Sequence, residues 1–288
     1  MHECTNARMQ GMQRMSQGMQ NGGGVRSARW CICAFLHLCI LCASPLFAGE
    51  RYAVVITGAA GGDSYAQKYD AWRAALVGAL RDRLGYQNDR LMALADQESA
   101  GAGGTLVATR ANVQGVLGRL KDRMNAGDQL LVILIGHGTV VDGEDAKFNL
   151  VGPDLSAREW AALLKPIPGR LVFVDTASGS YPFLKVLAGR GRIVLTANDS
   201  AAQQFETVLP EFFIKAFSDS AADADKDGKV SVWEAFAYAS SSVRRWYADR
   251  GQLPTERPLL DDTGVGAGGN AQTPGRDGAV AKVTYFGN

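Results

Sequence analysis

Twelve residues in the second half of the chain, Asp223-Ala224-Asp225-Lys226-Asp227-Gly228-Lys229-Val230-Ser231-Val232-Trp233-Glu234, have the types and spacing that would hold Ca²⁺. A hard cation collects oxygens from a flexible loop. Asp223, Asp225 and Asp227 supply carboxylates at positions one, three and five, and Gly228 permits the sharp turn at six. Lys229 offers its backbone carbonyl, Ser231 acts directly or through water, and Glu234 closes the shell with two oxygens. Val230 at position eight is the apolar anchor. The plainer alternative is a solvated acidic turn capping the helix that begins near Val232.

A second group could do acid–base or nucleophilic chemistry. His137 closes the apolar run Leu130 to Ile135 and is flanked by Gly136 and Gly138, while the run Leu171 to Val174 delivers Asp175-Thr176-Ala177-Ser178-Gly179. An imidazole is the usual general base, and a serine hydroxyl needs one to attack a carbonyl. Ser178 as nucleophile, His137 as base, and the Gly138 and Gly179 amides as oxyanion donors is therefore one reading, with Asp175 the nearby carboxylate. It lacks the Gly-x-Ser-x-Gly spacing of a nucleophile elbow. The plain reading of His137 is a polar turn residue.

Thiol chemistry is excluded from most of the chain. Cys4, Cys31, Cys33, Cys39 and Cys42 all precede residue 49. That stretch reads as an export signal behind a long polar leader: Arg26 and Arg29 precede an apolar segment from Cys31 to Phe47, and Leu46-Phe47-Ala48 fits a small-residue cleavage site. Cleavage near Ala48 would leave a secreted or periplasmic chain with no cysteine, one histidine, and 26 Lys and Arg against 28 Asp and Glu. So balanced a charge argues against nucleic acid as partner. No later stretch is long and apolar enough to enter a membrane stably.

The elements that would position these groups alternate as in a parallel sheet. Tyr52 to Thr57 is a β-branched strand, followed by a Gly58 to Gly62 loop and a helix from about Ala66 to Leu84. Further strands are expected at Arg90 to Ala95, Gln129 to Ile135, Phe148 to Val151, Leu171 to Val174 and Arg192 to Thr196. Helices are expected at Thr109 to Met124, after Ser156 with Glu159 completing a capping box, around Pro210 to Ser218, and from Val232 to about Asp249. The fold class is α/β, a three-layer α/β/α arrangement with a mostly parallel sheet and helices on both faces. The domain is expected to span residues 49–262 and the Gly-rich remainder, 263–288, to be disordered, with a last apolar segment from Val280 to Phe286 that reads as either a strand or a tail.

The opening strand, the Ile-Gly-His-Gly block ending at Gly138, the Phe148 to Leu155 segment and the Asp-Thr-Ala-Ser-Gly turn resemble the caspase and legumain type of cysteine peptidase, and in particular its bacterial legumain-like members. The resemblance covers most of the chain after residue 49. It implies that His137 stands where the family keeps its base, that the Gly138 amide stands in the oxyanion hole, and that the nucleophile's place falls on Ala177, or on Thr176 if the turn shifts by one. It also implies substrate-selecting residues around Thr196 to Asp199. A methyl group cannot attack a carbonyl. The expectation is a peptidase-like core that has lost its nucleophile and binds peptide or protein, with an EF-hand-type loop at residues 223–234 holding Ca²⁺ between two C-terminal helices; the alternative is a hydrolase built on Ser178 and His137.

Overall fold

β1 (Arg51–Thr57) and β4 (Gln129–Ile135) lie side by side and parallel, in register from Arg51 opposite Gln129 to Thr57 opposite Ile135. They form the centre of a computed structural model that describes residues 49–99, 104–141 and 145–287. The leader, its five cysteines and the cleavage site at Ala48 lie outside the described residues. Around the central pair are β2 (Leu91–Ala95), β3 (Thr105–Val107), β8 (Arg170–Asp175), β9 (Arg192–Thr196) and β10 (Leu259–Asp261). The sheet order is β10-β9-β8-β4-β1-β2-β3, and only β10 is antiparallel.

Strict two-residue alternation along these strands divides the interior into two layers. Ala53, Val55, Leu131 and Ile133 face α1 (Asp63–Gly78), α5 (Leu209–Lys215) and α6 (Val232–Asp249), where Tyr69, Leu76, Phe213 and Phe236 are buried. Tyr52, Val54, Leu130 and Val132 face α2 (Arg110–Arg123), α3 (Ala157–Leu164) and α4 (Tyr181–Leu187), with Val116, Trp160 and Phe183. The protein is thus a three-layer α/β/α domain. α3 begins as its sequence demands: Ser156 Oγ accepts the Glu159 N–H at 3.3 Å, and Glu159 Oε2 accepts the Ser156 N–H at 2.9 Å. No described helix is long and apolar enough to cross a membrane.

Three features differ from the sequence reading. The segment expected as a strand from Phe148 to Val151 is instead the end of a hairpin. β5 (Gly138–Val141), β6 (Asp145–Phe148) and β7 (Leu155–Ser156) form a separate antiparallel sheet, with Ala146 and Phe148 turned inward. β3, β10 and α4 were too short to stand out from the pattern. The third correction concerns the Gly-rich tail, which is ordered through Gly287 and belongs to the domain. Asp261 Oδ1 accepts the N–H groups of Thr263 and Gly264, and Asp262 accepts those of Gly278, Val280 and Ala281. Glycine is needed here for conformation: at Gly268, φ is +64° and a Cβ would lie 2.6 Å from a Leu184 methyl. Phe286, fully buried, then seats between Phe213 and Phe217.

Candidate functional site

The chain runs from β1 outward through β2 to β3, then returns to the other side of β1 with β4, β8 and β9. The strand order therefore reverses between β1 and β4, and open α/β sheets place their ligands beyond the carboxyl ends of such strands. His137, the 175–179 turn and the segment after Thr196 all leave the sheet at this edge.

His137 is half-buried and its Nε2 lies 3.0 Å from the Tyr69 hydroxyl. The Tyr65 ring meets the imidazole edge-on, with centroids 4.7 Å apart. Burial pushes the Tyr69 phenol above the usual tyrosine range, with the charge of Glu206 and then Tyr65 adding to it. The phenol either donates to a bare Nε2 or accepts from an Nε2–H, according to the ring tautomer. Burial also lowers the His137 pKa, opposed by Glu206 and assisted by Lys68. Burial thus favours the neutral ring, whose Nε2 is engaged by the Tyr69 hydroxyl.

Ser178 is not its partner. The hydroxyl is buried and lies 3.3 Å from both the N–H and the carbonyl oxygen of Gly138. The two amides expected to stabilise an oxyanion are consequently engaged: Gly138 N–H by Ser178 Oγ, and Gly179 N–H by the Gln203 carbonyl at 3.1 Å. Asp175 does not reach the imidazole either. It is enclosed at the end of β8, accepts the Ala177 N–H at 3.0 Å, and burial raises its carboxyl to about 8 against the pull of that N–H. Thr176 Oγ1 donates to the Leu134 carbonyl at 2.7 Å. Ala177 is 1% exposed and packs in the α2/α3/α4 layer.

The hairpin explains this enclosure. β5 lies directly over the turn, so closely that a Cβ on Gly138 would stand 2.3 Å from the Ser178 carbonyl oxygen, and one on Gly179 would stand 2.7 Å from a Val140 methyl. The structure leaves His137 half-buried against Tyr65 and Tyr69, and puts Gly138 in contact with Ser178 beneath β5. Thr196 and Asn198 are buried beside them, with Asn198 Oδ1 accepting from the Ser180 N–H and hydroxyl, both at 3.2 Å. Tyr69 is the participant that sequence reasoning missed. Its signal was present as Tyr65 and Tyr69, one turn apart on the first helix after β1, whose exposed end meets the same sheet edge.

The acidic loop lies between α5 and α6. Carboxylate oxygens of Asp223, Asp225 and Asp227 all fall within 4.8 Å of one another. Lys226 and Gly228 adopt left-handed backbone, φ +61° and +84°, and the Gly228 N–H donates to Asp223 Oδ2 at 3.0 Å. Asp227 Oδ1 accepts the Lys229 N–H at 2.8 Å. Asp223 Oδ1 is buried and has no hydrogen-bond partner among the described residues. Ser231 caps α6 by accepting the Glu234 N–H at 3.2 Å. Glu234 reaches back across the loop, Oε2 accepting from the Ser231 N–H and hydroxyl, and Oε1 from the Ala224 and Asp225 N–H groups. Burial opposes ionisation of Glu234, but these donors prevail and lower its pKa. The three clustered carboxylates could hold a hard cation, whereas both Glu234 oxygens are already engaged by donors of the loop.

The C-terminal segment completes this region. Val232 N–H donates to the Thr284 carbonyl at 2.8 Å, Ser231 bridges Tyr285, and the Tyr285 hydroxyl donates to Asp227 Oδ2 at 3.0 Å. Nothing in a glycine-rich tail signalled that its last residues would lie against the loop.

No protein-family model and no curated protein matches this sequence. Among solved structures, the chain is similar to protein GSU0716 from Geobacter sulfurreducens, at 15% identity over 74% of this chain and 92% of that one, with a TM-score of 0.49.

Proposed function

We propose that the chain is an exported, calcium-binding pseudo-peptidase of caspase or legumain type, which binds peptide or protein without hydrolysing it. The observation that carries this reading is the state of the would-be catalytic turn: Ala177 occupies the nucleophile's place, Tyr69 occupies His137 Nε2, and Ser178 occupies the Gly138 amide. Acyl transfer needs a nucleophile within reach of its base and free donors for the oxyanion, and each of these is spent on an internal contact.

Binding would take place on the open rim rather than in the sealed turn. Tyr65 packs on half-buried His137, the charges of Lys68 and Glu206 reach the imidazole, and Phe205, which is 66% exposed, lines the surface beside that ion pair, a mixture of aromatic and charged groups suited to an extended peptide. Calcium, when bound, would tie the loop to α6 and fix the C-terminal helices, a structural role for a single loop rather than the opening of a paired sensor.

The test is fluorophosphonate labelling of the chain beginning at Gly49, with and without calcium, beside thermal melts of the wild type and Glu234→Gln. The expected result is no label, and a melting temperature that calcium raises in the wild type only. At one hundred times the dissociation constant the stabilisation is about 2.7 kcal/mol, a rise of roughly 5–10 °C for a domain of this size. Label mapped to Ser178 would overturn the pseudo-peptidase reading, and unchanged melting at millimolar calcium would overturn the calcium reading.

A further inference from the structure

Two side chains of the kind that globular proteins bury stand in water on one groove. Phe205 is 66% exposed and Leu253 is 88% exposed, and both line an opening of about 460 Å³ together with Val208, Trp246 and the Lys68–Glu206 pair. The other large apolar side chains exposed among the described residues are all valines, and none of them lines this groove. Single exposed apolar residues are ordinary, whereas a phenylalanine, a leucine and a tryptophan gathered in one concavity mark a binding surface.

Both exposed side chains sit on segments that are tied down. The stretch carrying Phe205 is anchored on either side: the Gln203 carbonyl accepts the Gly179 N–H at 3.1 Å, and the Val208 N–H donates to Glu256 Oε1 at 2.7 Å. The turn carrying Leu253 is held by the Gln252 N–H, which donates to the Tyr247 carbonyl at 3.0 Å, and by the 2.8 Å contact between the Tyr247 and Thr255 hydroxyls. Arg250 stacks on Trp246, 3.9 Å from the ring centroid. A wall ordered before its ligand arrives loses little entropy on binding.

Charge narrows the occupant. Lys68 and Glu206 are the only charged side chains in the lining, and they pair with each other. The groove therefore offers nothing to a charged group, nor the surplus of Lys and Arg with which a protein holds an anionic membrane surface. The same two charges reach the His137 imidazole, so the groove adjoins the edge at which peptide binding is proposed. Gln252, exposed and part of the same lining, carries an amide suited to a peptide backbone. We propose that this groove is the anchor pocket of the peptide site and receives a large uncharged apolar side chain, of leucine or phenylalanine type, from the bound segment. The inference rests on the peptide-binding reading and adds its side-chain preference.

The probes are blocked pentapeptides of glycine and serine with leucine, alanine or lysine at the centre, titrated into the nitrogen-15-labelled chain beginning at Gly49. The readouts are the Trp246 indole N–H, assigned with Trp246→Phe, and the ring protons of His137, that chain's only histidine. The expected result is saturable movement of the Trp246 signal by the leucine peptide at millimolar concentration, with the alanine and lysine peptides bound at least about tenfold more weakly because the buried hydrocarbon is lost. Phe205→Ser and Leu253→Ser should each weaken the leucine peptide by about fivefold or more. Both positions are exposed, and an unchanged melting temperature verifies that the fold is intact. Equal affinity for the three peptides, or movement of His137 alone and undiminished in both variants, would overturn the anchor and leave the peptide reading standing; no movement of either signal by any of the three would overturn both. Movement of Trp246 on concentrating the chain without peptide would assign the groove to a second copy, and binding of phosphatidylcholine vesicles that Leu253→Ser abolishes would assign it to a membrane; either result would overturn the proposal.

Discussion

The Tyr69 hydroxyl and His137 Nε2 lie 3.0 Å apart at the carboxyl edge of the sheet, beside the point where the strand order reverses. Burial favours the neutral ring, and a hydrogen bond from the phenol to Nε2 would do the same. The imidazole of the chain beginning at Gly49, its only histidine, should therefore titrate below the ordinary value of about 6.5. With the folded pKa depressed, the histidine's contribution to stability is complete above about pH 6.5 and is lost as the pH falls, because the unfolded chain takes up the proton first. Proton NMR titration of the ring checks this. In Tyr69→Phe the midpoint should move up toward the ordinary value; a wild-type midpoint above it, unmoved in the variant, would contradict the assignment.

Asp175 shows the opposite linkage. Its carboxyl, enclosed at the end of β8, rises to about 8 because burial penalises the charge. The folded state then holds a proton that the unfolded chain loses near pH 4, so stability falls as the pH rises from that range through about 8. Asp175→Asn keeps an acceptor for the Ala177 N–H and removes the titration. Urea unfolding at mildly acidic and mildly alkaline pH should show a wild type that weakens across the range and a variant that does not.

The hairpin over the turn gives a steric prediction. Gly138→Ala places a methyl 2.3 Å from the Ser178 carbonyl oxygen, which is backbone and cannot swing aside. Overpacking of this kind costs about 1–3 kcal/mol. Ser178→Ala leaves the Gly138 N–H without its partner, a loss of about 1–3 kcal/mol for a buried group. Chemical denaturation should show both losses. A neutral Gly138→Ala would mean that β5 stands away from the turn and that the cleft is open.

The central sheet and the acidic loop were legible in the sequence because each is local. Alternation along Tyr52 to Thr57 and Leu130 to Ile135 fixes which residues face which layer, and a loop with aspartates at one, three and five declares its own geometry. What depends on distant pairing was not legible. Residues 139–147 gave no strand signal, and a strand was expected only from Phe148, because the hairpin's strands are short and only half apolar. Whether the Gly138 and Gly179 amides are free depends on Ser178 and on Gln203, and no spacing rule links those positions. The tail was misread for a compositional reason. Glycine-rich stretches usually lack apolar residues to bury, but here two buried aspartates bind the backbone and Phe286 supplies the anchor.

Phe286 accordingly carries a strong expectation. Its ring meets Phe217 at 4.9 Å and Phe213 at 6.0 Å in edge-to-face geometry, with no exposure to solvent. Phe286→Ala should cost about 3–5 kcal/mol, the range for emptying a buried aromatic site. A disordered tail predicts no cost, so the urea midpoint separates the two directly.

Tyr285 connects that tail to the acidic loop. Its hydroxyl donates to Asp227 Oδ2 at 3.0 Å, so an ion drawing on that oxygen competes with the phenol for it. The ion would also recruit Asp223 Oδ1, which has no competing donor among the described residues. The two aspartates should therefore respond differently. Asp223→Asn should abolish measurable calcium binding, since it weakens the most committed oxygen ligand. Tyr285→Phe should strengthen binding, because about 1 kcal/mol of competing hydrogen bond is removed, equivalent to roughly fivefold in affinity. Calorimetric titration of both variants with calcium decides the matter: an unaltered Tyr285→Phe affinity would mean that Asp227 serves the ion through its other oxygen, and a weaker one that the tyrosine supports the loop's geometry more than it competes for its charge.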